Sequence, residues 1–284
     1  PAASSNPLAT PDPPNSFSTY NHRRSPMSAT NDLVPILKKL RLSGVLQSLD
    51  VRTRQAVDEE IAHVEFLYRL LVDEVERREA KQLGVRLSRA SFEHAKTIED
   101  FDFAFNPKIP RAKILDLATC AFVERRQNVL LVGPSGTGKS HIAQALGHRA
   151  CRAGYAALYT AADAMFQQLR AARADQTYEK RLLRFTSPEV LIVDDLGLTP
   201  LRQNEPLDLH AIIRRRHQRG SLIVTSNRAI EEWYPLFGDA LLASAAMDRL
   251  LDGAHVLEMQ GDSYRNPPKK RGRGAAATAA GPEN

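Results

Sequence analysis

The chain has 284 residues, with 39 Lys and Arg against 33 Asp and Glu, a net charge of +6, and 43% hydrophobic residues. That length suffices for one large domain with a small appendage, and the basic balance suits a polyanionic partner without requiring one. Cys120 and Cys151 stand alone, which excludes a disulfide framework and a cysteine zinc site; no apolar run reaches about 18 residues and no secretory pattern opens the chain, so a cytoplasmic protein without membrane contact is expected.

Residues 1–26 are rich in Pro, Ser, Asn and Thr and poor in large apolar side chains; such a segment does not repay the entropy of ordering and is expected to be a disordered leader or arm. Between Asp32 and Leu49 apolar residues recur as Leu33, Ile36, Leu37, Leu40, Leu42, Val45, Leu46 and Leu49, an amphipathic helical pattern with a break expected at Gly44. A second helix is expected from about 58 to 83, with Ile61, Val64, Leu67, Leu71 and Val75 on its packing face. The two helices form an N-terminal module over 27–96, whose Arg and Lys residues are either a solvated face or a nucleic-acid contact. The connector that follows holds Phe101, Phe103 and Phe105 and ends at Asn106-Pro107; its aromatic rings either pack the linker on the next domain or lie beside a ligand ring.

After a helix over 111–125 the pattern alternates: strands at 129–132, 156–159, 190–194, 222–226 and 254–258, and helices near 139–152, 162–172, 176–185, 204–218 and 239–251. Alternation of this kind predicts an α/β fold, a parallel sheet with helices on both faces, whose ligands sit at the carboxyl ends of the strands. No helical period follows the last strand, so no C-terminal lid is expected; the α/β domain would occupy 97–265 and a basic tail 266–284.

The segment Val129–Val132 runs into Gly133-Pro134-Ser135-Gly136-Thr137-Gly138-Lys139-Ser140, the G-x-x-x-x-G-K-[ST] spacing of a phosphate-binding loop. Glycine lets the chain curl until successive N–H groups converge on phosphate oxygens, the following helix presents its positive end, Lys139 reaches the outer phosphates, and Ser140 is a magnesium ligand. ATP and Mg2+ are therefore the expected cofactors. The strand Val190-Leu191-Ile192-Val193 ends in Asp194-Asp195; Asp194 is expected to hold magnesium and Asp195 to orient or deprotonate the attacking water. Asn227 ends another apolar strand and is either a turn residue or an amide bonded to the water or the γ-phosphate. Arg249, near a helix end, is either a dipole-compensating cation or a finger that reaches a neighbouring subunit's phosphate.

GPSGTGKS, VLIVDDLG, LIVTSNR, AMDRLLDGAHVLEM and GDSYR, in this order, together with RLSGVLQSLDVR and KTIEDFDF near the N-terminus, resemble the IstB-type ATPases, relatives of the DnaC-type helicase loaders. The resemblance implies a P-loop AAA+ ATPase that forms a homo-oligomer on duplex DNA, deforms it, and recruits and stimulates a transposase. It also implies that the helical pair at 162–185, with Arg170, Arg173, Lys180, Arg181 and Arg184, lies toward bound DNA. Asp195 stands where most AAA+ proteins have Glu. A helicase loader in DNA replication is the alternative reading, and a small-molecule kinase a third that leaves Asn227 and Arg249 without roles.

Overall fold

The computed structural model describes residues 26–266, so the leader and the basic tail read from the sequence lie outside the described residues apart from Pro26 and Asn266. The chain divides into two compact units, 1–79 and 80–284.

The first unit holds α1 (Pro26–Lys39), α2 (Ser43–Asp58) and the first half of α3 (His63–Ala90). The break falls at 40–42, where Arg41 takes a φ of 56°, and Gly44 lies inside the first turn of α2, so the module has three helices where the periodicity predicts two. Gly44 is required by packing: a Cβ there would lie 2.6 Å from the Cα of Glu74. The close approach lets the buried Glu74 carboxylate accept the amides of Gly44 (2.5 Å) and Val45 (3.3 Å), which supplies an anion to the electropositive start of α2. Burial raises the Glu74 pKa, but these two amides and Arg78 outweigh it and hold the carboxyl below its ordinary value. Arg52 grips Asp73 through Nε (2.9 Å) and Nη2 (2.7 Å), holding that carboxyl at about 2. These polar anchors and Leu70 set the rotation of α3. The face expected to be buried is therefore the outer one, with Val64, Leu67, Leu71 and Val75 all exposed.

The second unit begins with the end of α3 and α4 (Arg111–Leu117). It continues through α5 (Ala121–Glu124), β1 (Val129–Val132), α6 (Lys139–Arg152), β2 (Ala157–Ala161), α7 (Ala162–Ala174), α8 (Tyr178–Thr186) and β3 (Val190–Asp194). The remaining elements are α9 (Glu205–Arg216), β4 (Ser221–Ser226), a 3-10 helix (Ile230–Phe237), α10 (Ala240–Leu251) and β5 (His255–Glu258). The single helix expected at 111–125 is two, because Cys120 adopts a left-handed φ of 66°. The 3-10 helix was not legible as an element; Pro235 within it argues against a regular helix.

The five strands are all parallel in the order β2-β3-β4-β1-β5. The two-residue period of each strand divides the core. Val129, Leu131, Tyr159, Ile192, Ile223 and Leu257 face α6, whereas Leu130, Val132, Leu191, Val193, Leu222 and Val224 face α7 to α10. Cys120 and Cys151 are buried thiols, as expected, and burial pushes the pKa of both upward. No helix among the described residues is long and apolar enough to cross a membrane.

Arg216, 1% exposed at the end of α9, fastens the second layer: its guanidinium donates to the carbonyls of Phe185 (3.1 Å), Pro188 (2.9 Å), Glu189 (3.1 Å) and Ser221 (2.8 Å). Burial pulls its pKa down, while the ring of carbonyls favours the charged form. Arg216→Ala removes a charged donor from each of these carbonyls, with Glu189 O keeping the Ser221 N–H, and should cost about 3 kcal/mol or more. Urea unfolding checks this, and a native midpoint in the variant would contradict the role.

Candidate active site

The strand pleat explains how the acidic pair meets the glycine loop. Tyr159, Asp194 and Thr225 share the pleat of Ile192 and Ile223, the sheet face that α6 covers, and Lys139 opens α6 on that face. Gly133, Gly136 and Gly138 take φ values of 135°, 81° and 95°, in the region that costs other residues steric strain. Space demands glycine as well: a Cβ on Gly133 would lie 2.5 Å from the carbonyl oxygen of Met259, and one on Gly138 2.5 Å from the Phe101 ring. Among the described residues, the amides of Ser135, Gly136, Thr137 and Gly138 have no protein acceptor, and Thr137 Oγ1 donates to Pro134 O at 2.9 Å. The loop is thus a row of free donors at the start of a helix, the chemistry that suits a phosphate.

Lys139 is only 5% exposed, and its Nζ donates to the carbonyls of Gly133 (2.8 Å) and Pro134 (2.7 Å). Burial pulls its pKa down, opposed by the charges of Asp195 and Asp194. Asp194, likewise 5% exposed, accepts from the Tyr159 hydroxyl at 2.8 Å through Oδ2 and from the Thr225 hydroxyl through Oδ1. One donor comes from each strand flanking β3. An ionised carboxylate has about four acceptor positions, so both oxygens retain capacity for a cation. The Tyr159 phenol is driven well above its ordinary pKa by burial and by Asp194, so it stays a donor.

Asp195 sits just past β3 with a φ of 57°, and its N–H donates to Thr225 Oγ1 at 2.9 Å. This left-handed turn, tolerable for Asp, takes its carboxylate off the pleat and into the cleft. Desolvation and then Asp194 raise its pKa, with Lys139 opposing. The cleft, about 610 Å³, brings Ser135 through Ser140 together with Asp194, Asp195 and Asn227, and is closed by Phe101, Phe105, Tyr264 and Arg265. A groove of about 750 Å³ beside Pro206, Leu236 and Leu242 shares no lining residue with it. The linker aromatics pack the linker on the domain: Phe101 meets His141 (5.2 Å between ring centroids) and Phe103 (4.8 Å) edge-on, and His141 Nε2 lies 2.8 Å from the Thr97 carbonyl.

The family model for IstB-like ATP binding proteins matches residues 35–272. The chain belongs to that family. A relative in Mycobacterium tuberculosis, named for ATP binding in an insertion sequence, is 41% identical over 84% of this chain and 94% of its own length. A Pseudomonas aeruginosa relative, named for ATP binding in insertion sequence IS21, is 35% identical over 85% and 91%. Among solved structures, the replication initiator DnaA bound to AMPPCP and single-stranded DNA superposes with a TM-score of 0.51 at 21% identity, covering 61% of this chain and 52% of that one. DnaI gives 0.51 at 21% identity over 58% and 90%. These two likenesses show the fold: a P-loop AAA+ core, here with an N-terminal helical part and, among the described residues, no lid after β5.

Within this IstB-like chain, Arg249 stands apart from the residues that line the cleft. It lies on α10, donates through Nη1 to the Ala245 carbonyl at 2.5 Å, and adds its charge to the burial that lowers the His210 pKa. The arginines of α7 and α8 are less free than the sequence suggests. Arg170 pairs with Glu205 at 2.5 Å, and Arg173 pairs with buried Asp208 while lying 4.1 Å over the Tyr178 ring. Arg181 bonds Gln168 at 3.4 Å, leaving Lys180 and Arg184 of the five. Sequence reasoning missed Tyr159 and Thr225 as supports of Asp194. A polar Thr within the apolar run Leu222–Thr225 was the available signal, whereas Tyr159 gave none.

A raised folded-state pKa means that the native protein binds the Asp195 proton more tightly than the unfolded chain, so the ionised form opposes folding above that pKa. Because Asp195 is exposed and solvent screens its charge, Asp195→Asn without nucleotide should raise Tm at pH 7.5 only slightly, the gain shrinking as pH falls through the folded-state pKa. Calorimetric scans test this, and a variant less stable than the native protein at pH 7.5 would contradict the assignment.

Proposed function

We propose that this chain is an ATP-hydrolysing helper of insertion-sequence transposition, which assembles with further copies of itself on target duplex DNA, deforms it, and recruits and stimulates the transposase. The observation that carries the reading is the meeting, in one cleft, of a loop of free amides, buried Lys139, the Asp194–Asp195 pair and Asn227, in a family whose relatives are named for ATP binding and insertion sequences.

In this reading the loop amides from Ser135 to Ser140 and the Lys139 ammonium bind the phosphate chain. Ser140 and Asp194 would hold Mg2+, which draws charge from the phosphate oxygens when bound. Asp195 accepts the proton of the attacking water, for which a raised pKa is an advantage, and the Asn227 amide orients that water. Arg249 completes the site of the adjoining subunit, which accounts for its position outside its own cleft. Lys139→Ala should lose nucleotide binding, and Asp195→Asn should bind ATP without cleaving it. A mixture of Arg249→Ala and Lys139→Ala proteins should regain hydrolysis, because a hybrid interface pairs an intact loop with an intact finger. Steady-state phosphate release and ATP titration read all three, and native ATP affinity in Lys139→Ala would overturn the site.

The helical module of residues 27–96 is proposed as an assembly and DNA-binding element, the AAA+ domain of 97–265 as the motor, and the tail from 266 as an accessory phosphate contact. Duplex binding should strengthen with ATP and fall with salt, each neutralised phosphate contributing about 0.9 to the log–log slope. Bending the duplex would draw on deformation energies of about 1–6 kcal/mol per 20–30 base pairs. Titration of matched duplex and single-stranded oligonucleotides at two salt concentrations, with end-to-end energy transfer, tests this; a single-strand preference without bending would favour a helicase loader instead.

A further inference from the structure

We propose that Arg228 is a positioning residue for hydrolysis: from the end of β4 its guanidinium holds the turn 195–197, and so keeps the Asp195 carboxylate facing the water that Asn227 orients. The inference rests on the nucleotide reading above and adds to it the side chain that ties Asp195 and Asn227 into one unit.

Asp195 is exposed in the cleft, and its hydrogen bonds run through its backbone: the N–H donates to Thr225 Oγ1 (2.9 Å) and the carbonyl accepts the Leu198 N–H (3.4 Å). The direction of its carboxylate is therefore set by its backbone. That backbone is left-handed, a conformation that strains a residue other than glycine and persists where neighbours over-determine it. β4 supplies the neighbours. Leu196 N–H donates to the Thr225 carbonyl at 2.9 Å, and the Ser226 hydroxyl donates to the Leu196 carbonyl at 2.6 Å. Ser226 Oγ in turn accepts the Arg228 N–H at 3.1 Å. The carbonyl that closes the turn, that of Gly197, is held by a side chain: Arg228 Nε donates to it at 2.6 Å.

Thr225 and Ser226 are fully buried within the strand, whereas Arg228 is half-buried and reaches back to a residue 31 positions earlier. Gly197 is buried at a φ of 75°, and a Cβ there would lie 2.9 Å from Leu236 Cδ1 and 3.2 Å from Arg228 Cδ, so the arginine stem packs on the turn as well as bonding to it. The far end of the guanidinium is anchored in turn, Nη1 meeting Glu232 of the 3-10 helix at 3.3 Å. A charged donor held at both ends makes a stiffer clamp than a lone hydroxyl. Asn227 directly precedes Arg228, so the amide assigned to the water and the clamp on the base share one short stretch of chain.

Single-turnover cleavage of labelled ATP by the full-length protein with Mg2+ and duplex DNA, alongside ATP titration, tests this. Arg228→Ala should lose about tenfold or more in cleavage rate, as expected when a reacting group leaves its attack geometry, with ATP affinity within about threefold of native. Arg228→Met, which keeps a stem against Gly197 and removes the donor, should show the same loss with a native unfolding transition, and Arg228→Lys should fall between. On the Asp195→Asn background Arg228→Ala should lower the residual rate by less than about twofold, because the two residues act in series. A native cleavage rate in Arg228→Met overturns the proposal. So does a loss that persists in full on the Asp195→Asn background, the mark of a merely structural role, or one that lies in ATP affinity instead of rate. Asp195→Asn alone serves as the control: native cleavage there would mean that the underlying assignment of the base had failed, independently of Arg228.

Discussion

The curl of the backbone between β1 and α6 is the constraint on which the rest of the second unit depends. Three positive-φ glycines fold the loop back on itself, and the space left by each missing side chain is filled from a distant part of the chain: Met259 against Gly133, Ser263 against Gly136 and Phe101 against Gly138. The aromatic linker before the sheet and the segment after β5 are thereby drawn to one loop. The walls of the cleft are consequences of the same curl that frees its amides. A side chain at Gly133 would collide with backbone, which has little room to move, so at this position the loop conformation and the packing of the sheet edge are the same requirement.

Charge is then concentrated where packing would disfavour it. Burying a carboxylate or ammonium costs several kcal/mol unless partners compensate, and Asp194 is compensated by hydroxyl donors from β2 and β4, Lys139 by loop carbonyls. Asp195, by contrast, is exposed in the cleft on a left-handed backbone, with a raised pKa. A raised pKa beside the phosphate loop suits the proposed role of Asp195 as base for an attacking water. The helical module solves the same problem with a different outcome: Glu74 is buried but receives two helix-start amides, and its pKa falls.

The strands, the loop and both acids were legible because each is local. A run of four or five apolar residues followed by glycines or by Asp-Asp carries its own signal, and β1, α6 and β3 lie at the expected residues. What escaped was set by partners far apart in sequence. Tyr159 is an ordinary strand tyrosine until the pairing of β2 with β3 brings it to Asp194, 35 residues away. The apolar face of α3 was legible, but its outward rotation is dictated by Asp73 and Glu74, whose partners lie on α2. Arg170 and Arg173 read as a free basic stripe until α9 supplies Glu205 and Asp208. The GDSYR segment is visible in the sequence, yet its place beside the phosphate loop is held by the Asn106 amide, which bridges Asp262 from 156 residues earlier.

The central claim is that residues 133–140 form a phosphate cradle completed by the carboxylate of Asp194. Isothermal titration of the full-length protein with ATP, with and without Mg2+, and with inorganic triphosphate as competitor, tests it most directly. The account expects saturable binding of one ATP per chain, strengthened by Mg2+ and displaced by triphosphate. ATP binding insensitive to both triphosphate and Mg2+, or no saturable binding, would contradict it.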